Sequence, residues 1–293
     1  MLSRRDLLAL STATALHHWL VPRTVLARAD EDPTRVFIGD LKPTDSRLGA
    51  LKTLNDYFPF TVPKTKEAWE ARRTRLREQL LVATGLWPTP EKTPLNPVVH
   101  GTMERDGYTI EKVYFASMPG HYVSGNLYRP KGAGASMLFP GVLFAHGHWA
   151  NGRLHDAGEK AAKASVEAGG EPDMDRGRFF MQALPATLAR LGFVVFHYDM
   201  VGVADSTAIP HAKGFADAEG ELRLQSAMGL QTWNSIRALD FLSSIPDVDP
   251  KKIGMTGASG GGTQTFMLAA IDDRLASAFP AVMVSTGMQG GCV

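Results

Sequence analysis

Ser259 sits in Gly257-Ala-Ser259-Gly-Gly261, a G-x-S-x-G pattern that comes after the apolar run Lys252-Ile-Gly-Met-Thr256 and precedes Thr263-Gln-Thr-Phe-Met-Leu-Ala-Ala270. Strand, tight turn and helix in that order push a serine hydroxyl clear of the backbone. Glycines on either side remove side chains that would collide in the turn. The chemistry open to such a serine is attack on an acyl carbon through a covalent intermediate, which needs a histidine base held by a carboxylate. Imidazoles gather at His146, His148 and His155, with Asp156 beside the last. The same cluster admits a second chemistry, because imidazole and carboxylate are ordinary metal ligands and the first pair has H-x-H spacing.

Apolar patterning locates the elements that must hold these residues. Short continuous apolar runs at 141–145, 193–196 and 252–256 have the character of strands buried between two layers. Helical stretches at 178–191, interrupted by Pro185, and at 230–242 separate them. This alternation predicts an α/β fold, a mostly parallel sheet covered by helices on both faces. Ahead of it, residues 108–116 and 122–128 read as an antiparallel hairpin around a turn at Pro119-Gly120, expected to open the sheet. Residues 67–81 form a strongly charged helix with Trp69, Leu76, Leu80 and Leu81 at its apolar positions. Pro88, Pro90, Pro94 and Pro97 close that region as a linker. The stretch 158–175, rich in Ala, Gly and Glu, is expected as a surface loop with at most a short helical turn before Gly169-Gly170.

Beyond the serine turn, the chain resembles the α/β-hydrolase superfamily, and within it the exported acetylxylan-esterase-like and dienelactone-hydrolase-like proteins. The resemblance is carried by Phe144-Ala-His146-Gly147-His148-Trp149 at a strand end, by His197-Tyr-Asp199-Met-Val-Gly202, and by Arg237-Ala-Leu-Asp-Phe-Leu, Val248-Asp-Pro250 and Ile253-Gly254 leading into the serine. It spans residues 141–293. It implies hydrolysis of carboxylic esters, often acetyl groups on plant polysaccharide, with Ser259 as nucleophile and neither cofactor nor metal. It also implies an oxyanion hole built from the backbone N–H groups of Gly260 and His148, the latter acting through its backbone and not its imidazole. In this fold the partners come after the nucleophile in the order Ser, Asp or Glu, His. Asp199 precedes the serine and so reads as a structural turn carboxylate bonding backbone N–H groups. Asp272 and Asp273 are expected in solvent, and Trp149 and Trp233 in the core or a pocket wall.

The partners of the serine are missing from this pattern. No histidine occurs after His211, and the residues after Ser259 hold only Asp272 and Asp273 as acids. A strand–helix–strand unit takes about 30 residues or more, so one helix and a strand at 278–284 fill the stretch after Ser259. Either the chain is a fragment or a distant histidine is recruited; the favoured expectation is an α/β-hydrolase domain incomplete at its C-terminus, with acid and histidine beyond residue 293 and an isolated chain that is poorly stable and nearly inactive on activated esters. Cys292, the single cysteine, is then a free thiol or the partner of a cysteine outside this sequence.

The start of the chain reads as an address. Ser3-Arg4-Arg5-Asp6-Leu7-Leu8, an apolar stretch to Val21 and then Ala27-Arg28-Ala29 resemble a twin-arginine export signal over 1–29, cut after Ala29. The Tat export machinery becomes a partner, and the periplasm or the exterior the destination. Residues 30–97 are assigned to an N-terminal helical segment and linker, and 98–293 to the α/β-hydrolase domain. A net charge of +1 without a basic stripe speaks against a nucleic-acid surface. No apolar run after the signal is long enough to span a membrane. The leading reading is a serine carboxylic ester hydrolase acting on a small-molecule or polysaccharide ester, an acetylated carbohydrate first. The alternatives are a serine peptidase of the same fold, a non-catalytic binding protein that kept the fold, and a metal-dependent hydrolase on the His146 cluster.

Overall fold

The computed structural model describes residues 60–132, 137–211 and 213–282, together with Thr34, Asp56 and Val284. The expected export signal and Cys292 lie outside the described residues. Contacts divide the chain into two units, Met1–Phe60 and Thr61–Val293; the strands and helices among the described residues fall in the second. The strands are β1 (Val98–Arg105), β2 (Tyr108–Met118), β3 (His121–Pro130), β4 (Phe139–Ala145), β5 (Val194–Tyr198), β6 (Val248–Ala258) and β7 (Ser277–Ala281). The helices are α1 (Lys66–Ala83), α2 (Gly158–Glu167), α3 (Met174–Arg178), α4 (Phe180–Arg190), α5 (Ala218–Leu222), α6 (Ala227–Ser244) and α7 (Gly260–Ile271).

In space the strands run β1-β2-β3-β5-β4-β6-β7. The first three pairings are antiparallel, whereas β4 runs parallel to both β5 and β6, and β7 parallel to β6. Leaving β4, the chain first builds β5 on one side of it and then returns to build β6 on the other. Consecutive crossovers therefore lie on opposite faces, and a crevice opens where the carboxyl ends of β4 and β6 stand side by side.

Alternating side chains explain why the central strands are buried on both sides. Val194, Phe196 and Tyr198 join a core with Trp233, Leu239, Phe241 and Leu242 of α6 and Leu268 of α7. Val195 between them joins Phe144, Met181, Ala186 and Ala189, the last three from α4. Phe241 anchors the larger core, its ring centroid 5.1 Å from that of Phe115 and 5.0 Å from that of Phe196. Ser226 caps α6 by accepting from the Gly229 N–H at 2.9 Å, satisfying one of the amides a helix start leaves free.

The sheet does not open with the hairpin. β1 precedes it, pairing antiparallel with β2 across a register shift between His100 and Met103. Every residue of β1 but Met103 is exposed, so it has no apolar alternation to betray it. Residues 158–175 are not a loop: they hold all ten residues of α2 and the start of α3. Alanine's helix propensity and the burial of Ala162 against Gly177, where a Cβ would stand 3.0 Å from the Ala162 carbonyl oxygen, account for that. The charged helix falls where expected, but Trp69 and Leu76 are exposed and none of its residues is fully buried. Arg73 and Arg77 instead pair with Asp273 at the end of α7. Of the two acids expected in solvent, Asp273 is 58% exposed, whereas the Asp272 side chain is 13% exposed and takes three bonds from Arg274, two from its guanidinium at 2.9 and 2.6 Å and one from its backbone N–H at 3.1 Å. Trp233 is core, its indole N–H donating to the Ser117 carbonyl oxygen at 3.0 Å. Among the described residues no helix is long and apolar enough to cross a membrane.

Candidate active site

β6 ends at Ala258 and α7 begins at Gly260, so Ser259 alone makes the reversal. Its φ of 56° and ψ of −123° lie where a residue with a Cβ pays roughly 1–3 kcal/mol, a strain that persists only when the surroundings enforce it. Missing side chains do the enforcing. A Cβ on Gly261 would lie 2.0 Å from the Ala145 carbonyl oxygen, and one on Gly257 2.4 Å from the same atom. The turn therefore presses directly on the last residue of β4. The Ser259 N–H donates to the Ala281 carbonyl oxygen at 3.2 Å, and the Ser259 carbonyl accepts from Thr263 at 3.1 Å. Ser259 is half-buried, and among the described residues its hydroxyl is in no hydrogen bond.

The loop after β4 arrives at the same place. A Cβ on Gly147 would stand 2.9 Å from that of Ser259 and 2.6 Å from the Ala258 carbonyl oxygen. The His148 ring packs over Gly260, with Cε1 and Nδ1 at 3.0 and 3.1 Å from where a Gly260 Cβ would be. Gly260 opens a twelve-residue helix, whose amino end favours negative charge. The two residues expected to supply oxyanion donors thus lie against each other beside the serine. Trp149 is half-buried in the same loop, its ring edge-on to Phe180 at 5.9 Å.

His211 was missed in the sequence because it lies 63 residues from the ring it serves. Its Nε2 is 2.6 Å from His148 Nε2, and its Nδ1 is 2.8 Å from the Val201 carbonyl oxygen. A carbonyl only accepts, so His211 Nδ1 carries the proton and its Nε2 accepts in the neutral form. His148 Nε2–H must then donate, which leaves His148 Nδ1 bare on the side of Gly260. Burial, and then His211, hold His148 below the usual imidazole range.

The other two imidazoles of the cluster, His146 and His155, are structural fasteners. His146 Nδ1 donates to the Gly147 carbonyl oxygen at 2.9 Å, and its Nε2 accepts the Met200 N–H at 3.0 Å, tying the end of β4 to the turn after β5. Burial holds it at about 4. His155 Nδ1 bonds the Ala150 carbonyl oxygen at 2.9 Å, and Asp156 takes both arms of Arg178 at 2.7 Å. With those nitrogens and oxygens committed, the His146 cluster does not converge on a point. Among the described residues no three such side chains are placed to hold a metal ion.

Asp199 is a turn carboxylate, but not one that bonds mainly to backbone. Its Oδ2 accepts from the Ser124 hydroxyl at 2.7 Å and from the Asp205 N–H only at 3.4 Å. Its Oδ1 lies 2.7 Å from Arg153 Nε, an ion pair of off-line geometry in which both side chains are almost wholly buried. Arg153 also donates to Asn126 Oδ1 at 2.6 Å and pairs with Asp205. Burial raises the Asp199 carboxyl to about 6, with Arg153 and Ser124 pulling the other way. No local sequence signal marks Arg153, since its partners come from β3 and the turn after β5.

This strand order, with a strained serine turn at the crevice between β4 and β6, is the α/β-hydrolase fold. No family model matches the chain. Among curated proteins, YtaP of Bacillus subtilis (strain 168), a hydrolase by name, is 27% identical over 210 residues, covering 69% of this chain and 62% of that protein. The 4-O-methyl-glucuronoyl methylesterase of Schizophyllum commune (strain H4-8 / FGSC 9210) is 25% identical over 230 residues, covering 78% and 47% respectively. The solved structure of Methylesterase BT1017 superposes with a TM-score of 0.57 at 27% identity, covering 78% of this chain and 45% of that one. The chain spans about half the length of these relatives, somewhat more for YtaP.

Proposed function

We propose that the chain carries the nucleophile of a serine carboxylic ester hydrolase acting on carbohydrate esters. The observation that carries this reading is the strained turn that holds the Ser259 hydroxyl between β4 and β6, against the His146–Trp149 loop. Ser259 Oγ attacks the ester carbonyl carbon while its proton passes to a base. The oxygen that becomes negative is stabilised by the N–H groups of Gly260 and His148. The C–O bond to the alcohol breaks, the alcohol takes the proton, and water then hydrolyses the acyl-enzyme to the free acid. Two of these relatives are named methylesterases. That favours the methyl ester of a uronic acid, with the sugar as acyl group, over the acetylated carbohydrate that the sequence resemblance puts first. The paired Arg4 and Arg5 support a reaction outside the cytoplasm.

No described histidine is bonded to the Ser259 hydroxyl, so the reading is tested with a base supplied from solution. Hydrolysis of p-nitrophenyl acetate by the 293-residue chain is expected to be slow, and added imidazole to raise it about tenfold above the rate of the Ser259→Ala protein. Equal responses of the two proteins to imidazole would overturn Ser259 as nucleophile. Methyl glucuronate oligosaccharides are expected to be cleaved faster than acetylated xylo-oligosaccharides under the same conditions; the reverse order would restore the acetyl ester.

A further inference from the structure

One cavity lined by several cations does not include Ser259. It has a volume of about 660 Å³ and opens on the face of the antiparallel strands β1, β2 and β3, within the size range of small-ligand sites. Its chemistry is lopsided. His100, Arg105, Lys112 and Arg153 line it, whereas the acid among its lining residues is Asp205, which is already paired with Arg153. Among the described residues Lys112 has no ion-pair partner, and the Arg105 guanidinium bonds only its neighbour's carbonyl, Glu104 O, at 2.8 Å. The register shift in β1 makes room for the lysine. Gly101, at φ 60°, leaves the space along which Lys112 lies, its Cδ, Cε and Nζ all 3.3–3.6 Å from where a Cβ would be.

Beside these cations runs a row of rings. His100 and Tyr114 have centroids 6.3 Å apart, and Tyr114 and Tyr122 6.2 Å apart. Both tyrosines are substantially exposed, at 41% and 54%. A tyrosine ring left this exposed offers an apolar face with a polar handle, and suits a ligand with alternating apolar and polar faces. Pyranose rings have such faces. Cations left without acids add a demand for negative charge, which distinguishes acidic sugars from neutral ones. The groove also reaches the catalytic end of the sheet. Ser124, one of its lining residues, bonds Asp199, and Arg153, another, pins the turn whose Met200 packs on Gly260.

We infer that this groove binds a carboxylate-bearing oligosaccharide, seating sugar rings on Tyr114 and Tyr122 and their carboxylates on Lys112 and Arg105, separately from the serine turn. The inference extends the proposed function, from which it takes the carbohydrate as substrate class, but it concerns binding and needs no turnover. Calorimetry on the 293-residue chain, as wild type and as Ser259→Ala, would compare trigalacturonate, xylotriose and inorganic phosphate. Trigalacturonate is expected to bind both proteins equally and at least tenfold more tightly than xylotriose. Raising salt from about 50 to 300 mM should weaken the acidic sugar alone, because exposed charge pairs are screened. Lys112→Ala should cut the preference for the acidic sugar to threefold or less, and Tyr114→Ala should weaken both sugars about tenfold, with thermal unfolding confirming that each variant is folded. Equal binding of the two sugars, binding of phosphate as tight as that of trigalacturonate, or absence of any sugar binding would overturn the groove. Loss of binding in Ser259→Ala would also overturn it, by putting the sugar at the serine. Groove binding without any Ser259-dependent hydrolysis would instead sink the nucleophile and leave the groove standing.

Discussion

His197 is wholly buried in β5, and neither of its ring nitrogens has a hydrogen-bond partner among the described residues. Desolvation favours its neutral form and drives it well below the usual imidazole range, as it drives His146 to about 4. In the unfolded chain both rings take a proton near 6.5. Between those values the unfolded state binds more protons, so stability falls as the pH drops, by about 3 kcal/mol for His146 alone. Asp199, raised to about 6, works the other way between its two values, but one carboxyl does not offset two imidazoles. The urea midpoint is therefore expected to decline steadily from pH 7.5 to pH 5, and His197→Leu to flatten that decline with little loss at pH 7.5. A midpoint that rises on acidification would show that the buried rings are protonated in the folded protein. The glycines of the serine turn act at the same scale. Gly261→Ala sets a Cβ against the Ala145 carbonyl and should cost about 3 kcal/mol or more in a denaturant melt. Gly120→Ala, with open space around it, should cost about 1 kcal/mol, from its positive φ alone.

The turn after β5 and the short 3-10 stretch Gly152–Leu154 are locked together by Arg153 and Asp199. Arg153→Met would leave a carboxylate in a dry site without its cation, at a cost of about 3–5 kcal/mol. Adding Asp199→Asn should recover part of that, and a double-mutant cycle on thermal melts measures how much; additive losses would mean that the two side chains do not act as a pair. Legibility tracked the reach of the forces. Strands β4, β5 and β6 are apolar because helices cover both their faces, and such runs show in sequence. β1 is held by backbone hydrogen bonds and by Lys112 lying across Gly101, which leave no apolar pattern. In α2, alanines that looked like loop filler were helix formers with one residue, Ala162, buried.

Over the molecule, β7 is the outermost strand of the sheet among the described residues, and its Phe279 is 72% exposed. An apolar edge strand invites pairing with another chain, so the 293-residue chain is expected to self-associate with rising concentration, and Phe279→Lys to lower that tendency in light scattering. If the lysine variant associates equally, the contact lies elsewhere. The class of fold, the serine turn and its place between a strand and a helix were all readable from the chain alone. They depend on local rules: apolar runs fill a core, and glycines allow a reversal that other residues resist. The pairing of His148 with His211, the Arg153–Asp199 lock, the burial of the His197 ring against Phe144 and His146 and the basic aromatic groove emerged only with the folded coordinates. Each joins residues from separate elements, and the order of the strands, not the spacing of the residues, decides which separated side chains share a dry space.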